Sequence, residues 1–371
     1  MPAPIYPEPD RRPLPRNIPR GANPGGLLFD PQGLAETEQL MLRLARGGTV
    51  DRASQMVIHH LDAGGKRIRA RLALAATEAL GAERWRAIAW AAAVELLHNA
   101  SLIHDDIQDG DSMRRSRPSL WAEYGSAQAI NAGDLLLMLP FTAVGEVPVE
   151  SDTRARLVSI LAERAARTVR GQVQELSMLQ ERRFSPAEYL GTVGKKTGEL
   201  LALPVEGAAL IAGKESKLAW ALGESFIDLG TLFQLQDDVV DLYGDKGRGR
   251  AGSDLYNGKV TALVVAHLAM YPGDTDWLVD LLLRPSQDTS VKEVARAAER
   301  FARPGGALDY VISVIQHITE RTAGSELLGS KPALRALAVE LAQRATGYVR
   351  DLIASRTDAR AVIAAPAAAV S

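Results

Sequence analysis

Six aspartates carry the strongest chemical signal in this chain. They form two clusters of one kind, Asp105-Asp106-Ile107-Gln108-Asp109 and Asp237-Asp238-Val239-Val240-Asp241. Each places carboxylates at i, i+1 and i+4. On a helix, i and i+4 stack on one face and i+1 lies about 100° round, so each cluster presents its carboxylates toward one side. Two such faces turned toward each other would hold hard divalent cations, and Mg²⁺ is ordinarily bound by a few carboxylates together with phosphate oxygens. The chemistry indicated is chemistry on a diphosphate. Each cluster also follows an apolar run, ELLHNASLI and FIDLGTLFQLQ. Carboxylates ending a buried helix are costly unless cations or partners offset them. One such cluster alone would be read as a solvated helix face; the pair argues for metal.

The basic residues are patterned too. Gly64-Gly65-Lys66-Arg67-Ile68-Arg69 sets flexible backbone beside cations, and Arg114-Arg115 follow the first acidic cluster. Lys195-Lys196-Thr197 and Gly258-Lys259-Val260-Thr261 add more. Arginine binds phosphate oxygens bidentately, and lysine acts as a point charge. Lys195 and Arg67 read as solvated surface charges, whereas Lys66, Arg69, Arg114 and Arg115 read as anion ligands. The positive groups suffice for two diphosphates, one on Mg²⁺ and one bound by side chains directly. His98 and His104 taken alone read as packed, hydrogen-bonded histidines.

The elements that must position these groups are helices. RARLALAATEALG, WRAIAWAAAVELLHNASLIHDD and SKLAWALGESFIDLGTLFQLQDDVVDLY carry apolar residues at helical spacing, and strand-like alternation is scarce. Gly110, Pro118, Pro148, Pro186, Pro272-Gly273, Pro285 and Pro304-Gly305-Gly306 punctuate them. Two helices that stay apolar until their aspartates belong inside a bundle. The predicted fold is all-α, a single large helical bundle with a central cavity between two Asp-rich helices. Residues 27–360 form that domain. Residues 1–26, rich in Pro and Arg, are expected to be a disordered or loosely docked extension, and 361–371 a flexible Ala-rich tail. Arg11, Arg12, Arg16 and Arg20 suit the extension to transient contact with an anionic surface.

Composition sets the remaining bounds. The 371 residues are 46% hydrophobic and 24% charged, which supports a sizeable core. A net charge of −2 gives no electrostatic case for nucleic acid. With no cysteine, thiolate metal sites and cysteine nucleophiles are excluded. No unbroken apolar stretch reaches membrane-spanning length and no signal-peptide pattern opens the chain, so a cytoplasmic protein without stable membrane insertion is expected.

The chain resembles the trans-isoprenyl diphosphate synthases, the polyprenyl synthetase family. The resemblance rests on GGKRIR at 64–69, ELLHNASLIHDDIQDGDSMRRSRP at 95–118, QAINAGDLLL at 128–137, GQ at 171–172, KKTGELL at 195–201, FQLQDDVVDLYGD at 233–245 and GSDLYNGKVT at 252–261. It implies the isoprenoid synthase type of helical bundle, commonly a homodimer. It also implies a trinuclear Mg²⁺ cluster on an allylic diphosphate, held at Asp105, Asp106, Asp109, Asp237, Asp238 and Asp241. Arg114, Lys196 and Lys259 match residues that hold that diphosphate. Lys66, Arg69, His98 and Arg115 match the isopentenyl diphosphate site. Thr197 and Gln234 match polar groups near the reacting carbons, and Gln172 matches a glutamine beside the metals. The implied reaction ionises the allylic diphosphate, lets the isopentenyl double bond attack the cation, and loses a proton to the released diphosphate.

Some positions depart from the family pattern. Ala70 stands where Pro is common, Ser116 where Gly follows the arginine pair, and Glu175 where Asp is common. The usual Gly-Lys before GSD is missing, with Arg248 or Arg250 as substitutes. Product length depends on depth below the first acidic cluster. Ala100 and Ser101, with Leu97 deeper, are expected to face that space, and none is an aromatic block. Geranylgeranyl diphosphate is the expected product, with products of twenty-five carbons or more as the alternative. A class I terpene cyclase would share the fold and the first cluster, but it typically carries an Asn/Asp, Ser/Thr, Glu triad at the second. A non-catalytic partner subunit would be expected to have lost metal ligands.

Overall fold

A computed structural model describes residues 26–28, 30–48, 51–244, 251–350 and 352–354. The expected extension, apart from Gly26, the Ala-rich tail, and Arg248 and Arg250 lie outside the described residues. The helices run in the order α1 (Pro31–Arg46), α2 (Arg52–Asp62), α3 (Ile68–Ala79), α4 (Ile88–Asp109), α5 (Leu120–Tyr124), α6 (Ser126–Gly145), α7 (Ser151–Met178), α8 (Pro186–Val193) and α9 (Glu199–Ile211). They continue through α10 (Ser216–Glu224), α11 (Ile227–Tyr243), α12 (Ser253–Tyr256), α13 (Ala262–Met270), α14 (Thr275–Leu283), α15 (Val291–Phe301), α16 (Ala307–Gly324), α17 (Glu326–Gly329) and α18 (Pro332–Thr346). Among the described residues the only strands pair Met113–Arg114 with Arg117–Pro118. The described residues thus form the expected all-α bundle.

Helix α9 is the axis. Every one of its residues is buried, and α3, α4, α7, α10 and α11 pack around it. Its two acids, Glu199 and Glu206, are neutralised by the buried Arg164 of α7, at 2.5 Å each, and Glu224 of α10 joins at 3.2 Å. Such a pair is costly to break, because the remaining partner is left as an uncompensated buried charge.

Three glycines bring the backbones that matter into contact. A Cβ on Gly230 of α11 would lie 2.5 Å from the Gly198 Cα, and one on Gly171 of α7 would lie 2.5 Å from the Lys196 nitrogen. The segment joining α8 to α9, Gly194–Gly198, winds as a π-helix, a geometry often found at functional sites. Lys196 and Thr197 are thereby wedged between α7 and α11.

Helix α6 combines length with an apolar composition. Twenty residues long, it is apolar enough by length and composition to span a membrane. Asp134 and Pro140 interrupt its apolar run. Its Ala129, Ala132, Leu136 and Leu139 are buried, and α4 is its main neighbour. A bundle-core helix passes the same hydropathy test.

Candidate active site

Helix α4 ends at Asp109 because Gly110 turns left-handed (φ 69°), its N–H capping the Asp106 carbonyl. Helix α11 stops at Gly244. Between these two ends lies a cavity of about 630 Å³, walled by α4, α7, the π-helical turn, α11 and the 254–261 loop. Asp105, Asp109, Asp237 and Asp238 line it, with Arg69, His98, Ser101, Lys196, Thr197, Gln234 and Lys259. Aliphatic side chains complete the lining: Leu97 of α4, Leu137 of α6, Ala165, Val169 and Leu176 of α7, and Leu200 of α9; Leu97 and Leu200 are buried, whereas Val169 and Leu176 are exposed.

The expected aspartates separate into two kinds. Asp105 and Asp109 share the cavity face, and Gln108 beside them accepts a 2.7 Å bond from Gln172. Asp106 is off the wall: it is buried and taken by Arg114, whose Nε lies 2.7 and 2.8 Å from its two oxygens. Arg114 therefore clamps the end of α4 and is itself not on the wall. The rotation of about 100° per residue produces this division. In the second cluster Asp237 is exposed to the cavity. Asp241 is turned away, accepting from Ser253 Oγ at 2.5 Å and from the Asp254 N–H at 3.0 Å, and so anchors the following loop. Asp238 lines the cavity, yet its oxygens are engaged by Tyr189 at 2.5 Å, the Ala262 N–H at 2.7 Å and Gln234 at 2.9 Å.

The cations already sit on carboxylates. Lys259 Nζ lies 2.7 Å from Asp109, and Lys196 contacts Glu175. Burial disfavours both ammonium groups, but the charges of Asp109 and Asp254 on one, and of Glu175 and Asp105 on the other, raise both pKa values. Burial pushes the Asp105 carboxyl up to about 6, with Asp109 and Glu175 adding to it against the pull of Lys196. Burial, reinforced by Asp254, pushes Asp238 up to about 7.

A cationic flank adjoins this end of the cavity. Burial lowers Arg69 to about 10, and burial with the charges of Arg69 and Arg115 holds His98 well below the usual imidazole range. Arg69 Nε and His98 Nδ1 are buried without a hydrogen-bond partner. Lys66 is exposed beside them, off the wall. The Arg115 guanidinium lies on Gly65, where a Cβ would fall 2.7 Å from it; that close approach, with φ 141°, requires glycine. The buried Arg69 N–H without a partner favours an anionic ligand, and the neutral His98 ring can donate through Nδ1 in one tautomer.

Two expectations are corrected here. Arg67 is no surface charge: it is buried, donating to Glu38 at 2.9 Å, the Leu61 carbonyl at 2.8 Å and Asn99 at 3.4 Å. Its left-handed φ of 49° opens α3 and turns the side chain inward. Ala100 is fully buried but does not line the cavity. Five residues before Asp105 on a helix lies about 140° from it, whereas Ser101 and Leu97 fall within about 80°. The reading of the sequence also missed Tyr189, Asp254 and Gln108. Tyr189 stands two helical turns before Lys196, in the mixed segment SPAEYLGTVG, which carries no motif of its own.

The wall can hold a divalent cation only in part. Among the described residues no three carboxylate or imidazole groups are assembled closely enough to bind a metal ion together. The wall donors are all oxygens, at Asp105, Asp109 and Asp237, which suits Mg²⁺, an ion that normally completes its shell with phosphate and water.

Comparison with known proteins gives one answer. The family model for polyprenyl synthetase matches residues 50–300. The geranylgeranyl diphosphate synthase of Methanosarcina mazei is 33% identical over 79% of this chain and 88% of its own. The geranylfarnesyl diphosphate synthase of Aeropyrum pernix is 33% identical over 81% of this chain and 94% of its own. Among solved structures, the polyprenyl synthase of Caulobacter crescentus, complexed with calcium and isoprenyl diphosphate, superposes with a TM-score of 0.72. It is 28% identical, covering 84% of this chain and 94% of that one.

Proposed function

The chain belongs to the polyprenyl synthetase family and is a trans-prenyl diphosphate synthase, and from that premise we propose that it extends an allylic diphosphate with isopentenyl diphosphate to give geranylgeranyl diphosphate. The observation that carries this reading is one cavity that joins acidic and cationic side chains to the buried aliphatic Leu97 and Leu200. Asp105, Asp109 and Asp237 would hold the divalent cations, Mg²⁺ and three in number, with Asp106, Asp238 and Asp241 fixing the backbone around them. Those cations would offset negative charge on the departing diphosphate.

The chain's own groups do the rest. Lys196 and Lys259, released from Glu175 and Asp109, bind the allylic diphosphate and stabilise charge as it departs. Arg69 and His98, with Lys66 and Arg115, take the second diphosphate and aim the isopentenyl double bond at the allylic carbon. Thr197 and Gln234 present oxygens to the cationic centre. Leu97 and Leu200, both buried, and the half-buried Leu137 exclude water from it, which suppresses hydrolysis. No side chain is assigned as the base; the released diphosphate takes the proton. The absence of an aromatic side chain at Ser101 and Leu97 supports a chain longer than farnesyl.

A homodimer is the assembly we favour, because α6 exposes Ile130, Met138 and Phe141 along one side. With the rest of α6 packed on α4, the cytoplasm is the expected location. The test is a product assay with Mg²⁺, isopentenyl diphosphate and, separately, dimethylallyl, geranyl and farnesyl diphosphates. A twenty-carbon linear alcohol after dephosphorylation is expected. A longer linear alcohol would move the product to the geranylfarnesyl class, and a cyclic hydrocarbon formed without isopentenyl diphosphate would overturn the reading.

A further inference from the structure

Far from the acidic helix ends, α1 and the start of α4 leave a groove that nothing described fills. It comprises two adjoining hollows of about 480 and 260 Å³ that share Glu36, Trp85 and Ile88. Trp85 is 55% exposed, unusual for the largest apolar side chain in a position with no part in the cavity. Four carboxylates, Asp30, Glu36, Glu78 and Glu146, edge the groove against two guanidiniums, Arg43 and Arg84. Glu146 and Asp30 are paired with Arg43 and Arg84, so an exposed indole beside Glu36 and Glu78 is the chemistry offered to a proline-rich, arginine-bearing strand.

The chain carries such a strand. Residues 1–25 contain eight prolines and four arginines against one Glu and one Asp, with Arg11-Arg12-Pro13-Leu14-Pro15-Arg16 at their centre. A sequence of this kind favours the polyproline II form, which loses little entropy on docking. It also begins beside the groove. The Leu27 N–H donates to Glu340 at 2.7 Å, Arg71 donates to the Leu28 carbonyl at 3.2 Å, and Asp30, itself on the groove rim, pairs with Arg84 at 3.1 Å. From Gly26 back to Leu14 the polyproline form spans about 37 Å at about 3.1 Å per residue, enough to cross both hollows.

We propose that residues 11–16 of this same chain dock in the Trp85 groove, with prolines against the indole and arginines on Glu36 and Glu78. Tethering to the groove's edge raises the effective concentration and lets a weak contact hold. The segment would then brace α1 against the start of α4, the helix whose other end carries Asp105.

Because the natural chain has no cysteine, engineered pairs report proximity cleanly. In the full chain, Leu14→Cys is combined with Gln39→Cys in the groove or, as a control, with Glu163→Cys on α7. Oxidation should close the Leu14–Gln39 pair within one chain at least tenfold faster than the control, at a rate unchanged by dilution. Trp85→Ala, or Glu36→Gln with Glu78→Gln, should slow closure by about tenfold while leaving the helical circular dichroism intact. Equal rates for the two pairs, insensitivity to those substitutions, or crosslinking that grows with protein concentration would each overturn the proposal.

Discussion

The Tyr189 hydroxyl of α8 donates to Oδ2 of Asp238 on α11 at 2.5 Å, and the same oxygen accepts the Ala262 N–H at the start of α13. One carboxylate oxygen thus pins three helices at the point where the Lys259 loop meets the second acidic cluster. Tyr189→Phe keeps the ring in its buried place and removes one donor. Losing a hydrogen bond to a charged group costs about 1.5–3 kcal/mol. Urea unfolding should show a loss of that size, and kcat should fall about tenfold as the loop loses its anchor. An unchanged kcat would mean that the tyrosine only packs.

The two kinds of aspartate predict two kinds of mutant. Asp105→Asn and Asp237→Asn remove wall carboxylates and should lower kcat/KM by about 10²–10³, the range for removing a group that stabilises developing charge. Asp106→Asn breaks the clamp on Arg114 instead. It should cost about 1–3 kcal/mol of stability and tenfold or less in rate. Adding Arg114→Gln to Asp106→Asn should produce little further loss, since both act on one contact. Kinetics and denaturation of the three single variants and the double mutant decide it, and an Asp106→Asn as inactive as Asp105→Asn would refute the division.

How the aspartates divide shows what a sequence reveals and what it conceals. Helical spacing, apolar runs and breakers were enough for the bundle and for both acidic helix ends, because those depend on local periodicity. Which of two adjacent aspartates faces the cavity depends on a rotation fixed by packing. Gly198 against Gly230 and Gly171 against Lys196 set that packing, and each of these contacts joins residues distant in sequence. Arg67 misled for the same reason: its burial comes from Glu38, Leu61 and Asn99, none adjacent to it. Asp241 has the same local pattern as Asp237, but the Ser253 hydroxyl and the Asp254 N–H occupy it.

Product length should respond at Ser101 and Leu97 rather than at Ala100. Ser101→Phe would place a ring in the cavity and shorten the main product, while Leu97→Ala would open its depth and lengthen it. Ala100→Phe forces a ring into a fully buried site away from the cavity, and overpacking of this kind typically costs about 1–3 kcal/mol. Its product should be unchanged in any protein that still folds. Sizing the dephosphorylated products tests all three, and a shortened product from Ala100→Phe alone would restore the original assignment.

Strain in the hairpin gives a gain rather than a loss. Arg115 and Ser116 both adopt left-handed φ, 51° and 64°, at the turn between Met113–Arg114 and Arg117–Pro118. A side chain in that region costs about 1–2 kcal/mol, which glycine avoids. Ser116→Gly should stabilise the protein by up to about 1 kcal/mol, part of the relief being offset by the entropy of a freer unfolded chain. Its KM for isopentenyl diphosphate should hold steady, because the Arg115 guanidinium keeps its seat on Gly65. A lowered melting temperature would show that Ser116 makes a compensating contact.

The carboxyls of Asp105 and Asp238 give the metal-free protein a pH dependence of definite sign. Burial raises them to about 6 and about 7, above the value near 3.8 they have in the unfolded chain. The folded state therefore binds their protons more tightly than the unfolded state does. Their protonation favours folding fully below about pH 4, and the benefit is lost as pH rises to about 7. In the presence of EDTA the melting temperature should fall between pH 4.5 and 7. Asp105→Asn should flatten the lower part of that slope, since its amide carries no charge to bury. Mg²⁺ with inorganic diphosphate should restore stability at pH 7 more than at pH 5, because cations favour the ionised carboxylates. A slope that Asp105→Asn leaves unaltered would assign the dependence to other groups.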